Sequence, residues 1–167
     1  MQQSYGRVYG VNETIAVADL VESALNVEAG GYGRHGINLV RDFAAVPPVT
    51  LDKHRVLQIL VNVLQNAKHA CAASGRSDRC VRVQIQPVNG QRVRIAVTDN
   101  GIGIPPENLT RIFGHGFTTK KEGHGFGLHS AALAAKELGG ALTVQSEGLG
   151  CGASFALEIP LRSAAKG

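Results

Sequence analysis

The chain has no tryptophan, one methionine and few aromatic residues, 5% in all. A row of aromatic faces for stacking nucleic-acid bases is therefore not supported. Its three cysteines, Cys71, Cys80 and Cys151, form no C-x-x-C pair. An odd count without a secretory signal argues against a disulfide framework, and no second ligand pair completes a metal site. All three read as reduced thiols. No apolar run approaches the roughly 18 residues needed to cross a bilayer. The opening MQQSYGRVYG lacks the apolar region of a signal peptide. The expectation is a cytoplasmic location without direct membrane contact, on its own or as the cytoplasmic part of a membrane-anchored protein. Long runs of one charge are also missing. The 17 basic and 13 acidic residues are scattered, and their net charge of +4 reads as a solvated surface, with a basic face for phosphates or an acidic partner as the alternative.

What is present is enough for one globular domain: 167 residues, 44% of them hydrophobic. ETIAVADLVESALNVEAG opens with a short alternation and then turns helical, with Leu20, Val21, Leu25 and Val27 near one face. Asp19 stands at its start and Gly30-Gly31 at its end, where caps are expected. GINLVRDF reads as a strand and VPPVT as a turn or sheet edge. The long helix DKHRVLQILVNVLQNAKHACAAS carries an apolar stripe of Val56, Ile59, Leu60, Val63, Leu64 and Ala67, with Asp52 placed to cap it. CVRVQIQPVNGQRVRIAVTD reads as a hairpin about Asn89-Gly90. Residues 101–126 show no period and form a long loop of the kind that carries function. GLHSAALAAKELGG is a helix stopped by glycine, and ALTVQSE and ASFALEIP are two closing strands. The order predicts an α+β two-layer sandwich: a mixed, mostly antiparallel sheet with about three helices on one face.

Three glycine turns punctuate this pattern: DNGIG at 99–103, GHGFG at 123–127 and GLGCG at 148–152. The second fails the dinucleotide fingerprint, because position 128 is leucine, and fails the P-loop, because no Gly-Lys-Ser/Thr follows. It still opens a helix, and free N–H groups at a helix start favour an anion such as phosphate. On the long helix, Asn62, Asn66 and His69 are spaced by four and three and share a face. Asparagine is a poor residue inside a helix. Two of them there suggest either a solvated face or a row of amide oxygens suited to Mg²⁺ and phosphate.

Taken in order, these segments resemble the ATP-binding domain of histidine kinases, the Bergerat fold shared with gyrase, Hsp90 and MutL. NVLQNA at 62–67 is similar to its N box, DNGIGIP at 99–105 to its G1 box and IFGHGFTTK at 112–120 to its F box. GHGFGL at 123–128 is similar to its G2 box, and GLGCGASFALEIP at 148–160 to its closing segment. The stretch from Phe117 to Gly140 most resembles the nitrogen-regulation branch of sensor kinases. The resemblance divides the chain into residues 1–12, a linker or the end of a dimerisation helix, 13–162, the ATP-binding catalytic domain, and 163–167, a tail.

The resemblance implies roles for single residues. Asp99 would accept a hydrogen bond from the adenine amino group, with Gly101, Gly103 and Ile104 turning against the purine. Asn66 would hold Mg²⁺, and Asn62 would face the same phosphates. His69 would lie near the phosphates or read equally as a surface histidine, while Lys68 points elsewhere into solvent. Phe113 and Phe117 would anchor a lid, Phe117 serving equally as core. Thr118, Thr119 and Lys120 would reach the phosphates. Gly123, His124, Gly125, Phe126, Gly127 and Leu128 would cradle them. Ala153 stands where many relatives carry Thr or Ser, and Ser154 faces the other side of its strand.

ATPases of this superfamily place a glutamate general base one turn before the Mg²⁺ asparagine. Here that position is Asn62, and an amide takes no proton from water near neutral pH. Slow hydrolysis is expected, with phosphoryl transfer preferred. The acceptor would be a histidine on a separate dimerisation domain absent from this chain, with a response regulator downstream. The fragment is expected to be monomeric and the full-length protein a homodimer. An anti-sigma type Ser/Thr kinase on the same fold and a non-catalytic ATP-binding module are the alternatives.

Overall fold

In the computed structural model, residues 12–113 and 126–162 are described. A strand β1 (Asn12–Ile15) leads into helix α1 (Val17–Arg34), followed by β2 (Asn38–Phe43) and β3 (Val49–Asp52). The long helix α2 (Lys53–Ala73) precedes the hairpin β4 (Cys80–Val88) and β5 (Arg92–Asp99). A single turn α3 (Pro106–Leu109), helix α4 (Phe126–Glu137), β6 (Ala141–Gln145) and β7 (Ala153–Pro160) complete it. The main sheet runs β2-β4-β5-β7-β6, with β2 and β4 parallel and the other pairs antiparallel. The expected two-layer α+β architecture is what forms.

Alternation decides which sheet face is covered. Val93, Ile95 and Val97 of β5 and Phe155, Leu157 and Ile159 of β7 are buried, and their neighbours are half-exposed. Against them lies the α2 stripe of Val56, Ile59, Leu60, Val63, Leu64 and Ala67, all buried as expected. Asp52 caps α2, accepting from the His54 and Arg55 N–H groups at 3.0 and 3.4 Å. Arg55 also pairs with Glu137 and so ties the start of α2 to the end of α4. Asn89, at φ 56°, and Gly90 make the expected turn.

Several local expectations are corrected. The N-cap of α1 is Ala16, so Asp19 lies in the first turn instead of at the cap. The helix does not stop at Gly30-Gly31 but runs to Arg34. A Cβ on Gly31 would meet the end of the Lys68 side chain at 2.8 Å, so the glycine leaves room for Lys68 in the seam with α2. Val27 points outward and is 66% exposed; Ala24, Glu28 and Tyr32 take the inner face. Of the two readings of VPPVT, turn or sheet edge, the edge forms. The end of the segment begins β3, which pairs with β1 as a separate two-stranded sheet and bridges to Arg162 through Thr50.

Candidate functional site

The alternation that buries the β5 valines also carries its last residue, Asp99, inward to 4% exposure. One carboxylate oxygen, Oδ1, accepts from the Gly101 N–H at 2.8 Å. The other, Oδ2, is buried with no hydrogen-bond partner among the described residues. Burial raises the Asp99 pKa to about 6, against the opposing pull of the Gly101 and Ala153 N–H groups. An unpaired buried carboxylate oxygen is costly in a folded protein. It suits a ligand that brings its own donor, such as an exocyclic amino group. Ala153 lies directly across from Asp99 in the sheet, while Ser154 faces the other side and meets Thr98 Oγ1 at 2.9 Å.

The turn after Asp99 is shaped by the protein's own backbone. A Cβ on Gly101 would sit 2.4 Å from the Ala70 carbonyl carbon, and the Ile102 N–H donates to the Ala70 oxygen at 3.1 Å. A Cβ on Gly103, at φ +78°, would sit 2.0 Å from the Gly148 oxygen. Contact with α2 and with the 146–152 turn thus already demands both glycines, which sequence reasoning assigned to the purine. Ile104 is buried, and its N–H donates to Ser146 Oγ at 3.0 Å. The Ser146 hydroxyl in turn donates to the Gly152 oxygen at 2.6 Å, pinning the two glycine turns together.

Asn62 and Asn66 lie half-buried one turn apart on α2, with His69 exposed further along. Asn62 Nδ2 donates to the Gly127 oxygen at 3.2 Å, which brings the middle of α2 against the first turn of α4. Gly127 and Leu128 are half-buried in that turn. Phe113 packs edge-on against Phe155, with ring centroids 6.2 Å apart, and its carbonyl lies 3.0 Å from His129 Nδ1. Lys68 is not solvated as expected. It is 16% exposed and reaches Glu28 Oε1 at 3.3 Å, across the α1–α2 seam.

The structure therefore gathers Asp99, Gly101, Gly103 and Ile104 around the G1 turn, and Asn62, Gly127 and Leu128 where α2 meets α4. Phe126 opens α4. Phe117, Thr118, Thr119, Lys120, Gly123, His124 and Gly125 lie outside the described residues. Sequence reasoning missed Ser146, His129 and Asn100. Asn100 Oδ1 accepts from the Cys80 N–H, and its Nδ2 donates to the Asp78 oxygen, both at 2.8 Å. Each of these three works through a partner distant in the chain, which no local pattern reveals.

A family model described as histidine kinase-, DNA gyrase B-, and HSP90-like ATPase matches residues 51–163. The sensor protein CitS of Halalkalibacterium halodurans is 39% identical over 113 residues, 67% of this chain and 21% of that protein. The sensor histidine kinase ZraS of Salmonella typhimurium is 33% identical over 152 residues, 89% of this chain and 31% of that protein. The chain thus spans less than a third of either relative. Full-length ShkA, solved in complex with AMPPNP, superposes with a TM-score of 0.79 at 28% identity, over 93% of this chain and 32% of that one. The mycobacterial sensor histidine kinase MprB gives 0.77 at 23% identity, over 92% of this chain and 99% of that one, a likeness of fold alone. With a model match over most of its length and the fold to go with it, the chain belongs to the family of histidine kinase-, DNA gyrase B- and HSP90-like ATPases.

Proposed function

We propose that residues 13–162 are the ATP-binding catalytic domain of a two-component sensor histidine kinase. In this reading the domain presents Mg-ATP to a histidine on a separate dimerisation domain, and a response regulator takes the phosphoryl group onward. The observation that carries the nucleotide reading is the buried, unpartnered Oδ2 of Asp99. A purine amino group supplies the missing donor, and a keto group at the same place does not. GTP is therefore disfavoured while Asp99 is ionised.

At the phosphate end, the first turn of α4 offers N–H groups and a helix dipole. Asn66 would hold Mg²⁺ through its amide oxygen, a donor suited to a hard cation. When bound, the cation neutralises charge on the phosphates. Asn62 cannot serve as a base towards water, because an amide takes no proton near neutral pH; its NH₂ group instead donates to the Gly127 oxygen. The site thus positions and neutralises without activating water, which favours transfer to an external acceptor over hydrolysis. The likeness to ZraS, a sensor histidine kinase, supports the kinase reading. In this reading the full-length protein is a dimer and its catalytic domain lies in the cytoplasm.

Calorimetric titration with ATP, with and without Mg²⁺ and with GTP as control, tests the nucleotide site. Saturable binding that prefers ATP is expected. Absence of binding at millimolar nucleotide overturns the reading. Transfer of labelled γ-phosphate to a purified dimerisation domain from a sensor kinase then tests the kinase assignment.

A further inference from the structure

The two ends of α4 are held by different means. From Ala131 onward the inner face is buried: Ala131, Ala134 and Ala135, with Leu138 just past the helix end, are at most 4% exposed. Packing against α2 and β6 fixes that part. The first turn is only half-buried at Gly127, Leu128, His129 and Ser130. Among the described side chains of that turn, Leu128 touches the core at its edge. Among the described residues, two polar contacts reach the turn. Asn62 approaches from α2 and donates to the Gly127 oxygen at 3.2 Å. On another side the His129 ring reaches the Phe113 carbonyl at 3.0 Å through Nδ1.

We infer that His129 is a positioning residue for the nucleotide phosphates, setting the first turn of α4 through the Phe113 carbonyl. The inference rests on the ATP-site reading and adds a residue to it. Phe113 is itself anchored, because its ring stands at 81° against Phe155. Phe155 pairs with Val97 in the sheet, two residues before Asp99. The contact from His129 to Phe113 therefore refers the phosphate end of the site to the strand that ends in the base-reading carboxylate. A backbone carbonyl only accepts, so Nδ1 must carry the proton and the ring is held as that tautomer. His129 touches no reacting atom in this arrangement. It acts through the placement of the Gly127 and Leu128 N–H groups, and their value to an anion falls off within the first turn.

The geometry gives an isostere test. Asparagine places its Nδ2 where histidine places Nδ1, whereas glutamine places its amide nitrogen near the Nε2 position. Asparagine and histidine also have similar helix propensity. Mg-ATP and adenosine affinities should be measured by calorimetry for the wild-type chain and for His129→Ala, His129→Gln and His129→Asn. Loss of one hydrogen bond's worth of placement predicts about three- to tenfold weaker Mg-ATP binding for the alanine and glutamine variants. His129→Asn should stay within about twofold of wild type on the same scale. Adenosine affinity should not move in any of them, because Asp99 reads the base. Unchanged Mg-ATP binding in His129→Ala overturns the inference, as does an asparagine variant no better than alanine. A parallel loss for adenosine also overturns it, by showing a general effect on the fold. One readout needs no nucleotide: ¹⁵N-edited NMR of the unliganded protein should show neutral His129 protonated on Nδ1. The Nε2-protonated form sinks the inference even if ATP binds, whereas wild-type protein that binds no ATP sinks the site reading itself.

Discussion

Gly152 and Asp99 meet backbone to backbone: a Cβ on Gly152 would lie 2.0 Å from the Asp99 carbonyl oxygen and 3.0 Å from Asn100 Cα. The 146–152 turn is thereby laid across the end of β5, just where the carboxylate enters the core. Rigid backbone stands on both sides of this contact, so nothing can yield cheaply. Gly152→Ala should lower stability by more than about 2 kcal/mol and weaken ATP binding as well, because Asp99 would have to shift. Gly150→Ala is the control. Gly150 also has positive φ, at +82°, but a Cβ there meets nothing within 4 Å. It should show only the left-handed strain of about 1–2 kcal/mol and leave ATP affinity near wild type. Urea unfolding and ATP titration of the two variants separate the effects, and equal behaviour of the pair would refute the account.

Asp99 should make stability and nucleotide affinity respond to pH in opposite directions. In the folded chain its carboxyl keeps a proton up to about pH 6, well above its ordinary value of 3.8. Between those two values the folded state binds more protons than the unfolded one. Stability from this group therefore falls as pH rises through that window and is level above it, a total of about 3 kcal/mol. Asp99→Asn should remove that component, so the difference between variant and wild type in urea unfolding should change between pH 4 and pH 7. ATP needs the ionised carboxylate as acceptor, so wild-type affinity should fall as pH drops below about 6. A wild-type affinity flat from pH 5 to pH 7.5 would contradict the role of Asp99.

Arg79 joins two helix ends. Its guanidinium donates to the His35 oxygen just past α1 at 2.8 Å and to the Ala72 oxygen near the end of α2 at 3.3 Å. Both carbonyls lie at the negative ends of helix dipoles, where a cation is favoured. Arg79→Ala should reduce stability by about 1–3 kcal/mol, with Arg79→Lys intermediate because one ammonium cannot span both carbonyls as the fork does. ATP affinity measured well below the melting transition should hardly change, since neither carbonyl belongs to the site. A large loss of affinity with intact stability would place Arg79 in the site instead.

The architecture was legible in the sequence because hydrophobic periodicity reports directly on buried faces. The α2 stripe, the Asn89-Gly90 turn and the alternation of β5 and β7 are such cases. Asp99 was legible for a related reason: it breaks an apolar alternation at an inward position. What stayed hidden depends on pairs brought together from far apart. Lys68 looks like a solvated charge until α1 delivers Glu28 to it. Gly30-Gly31 looks like a helix stop until the closeness of Lys68 gives the glycine another reason. Ser146 and His129 sit in segments with no polar pattern of their own, and their partners are 42 and 16 residues away.

The Glu28–Lys68 pair gives that lesson a test. Glu28 is 4% exposed and also accepts from Gln65 Nε2 at 3.1 Å. Removing one partner strands a buried charge, so Glu28→Leu or Lys68→Met alone should cost about 3 kcal/mol or more. The double variant should recover most of that loss, because two apolar side chains can fill the same seam. If the single losses simply add, the pair is not coupled and the seam is held by Tyr32 and its neighbours instead.

Asn62 carries the sharpest choice between geometry and chemistry. By chemistry alone, a carboxylate at this position would create the general base that related ATPases possess. In this fold Asn62 Nδ2 donates to the Gly127 carbonyl. Asn62→Asp keeps the shape but sets two acceptors against each other, and Asn62→Glu adds length as well. Both should therefore release the first turn of α4 and weaken Mg-ATP binding, by roughly tenfold for the loss of one bond plus the repulsion that replaces it. Hydrolysis should not rise, because a base displaced by even 1 Å from its water loses much of its effect. Phosphate release assays at saturating ATP, paired with calorimetric affinities, distinguish the two possibilities. Faster hydrolysis with undiminished affinity would mean that the carboxylate finds a water without disturbing Gly127, and that Asn62 is set against hydrolysis by its chemistry alone.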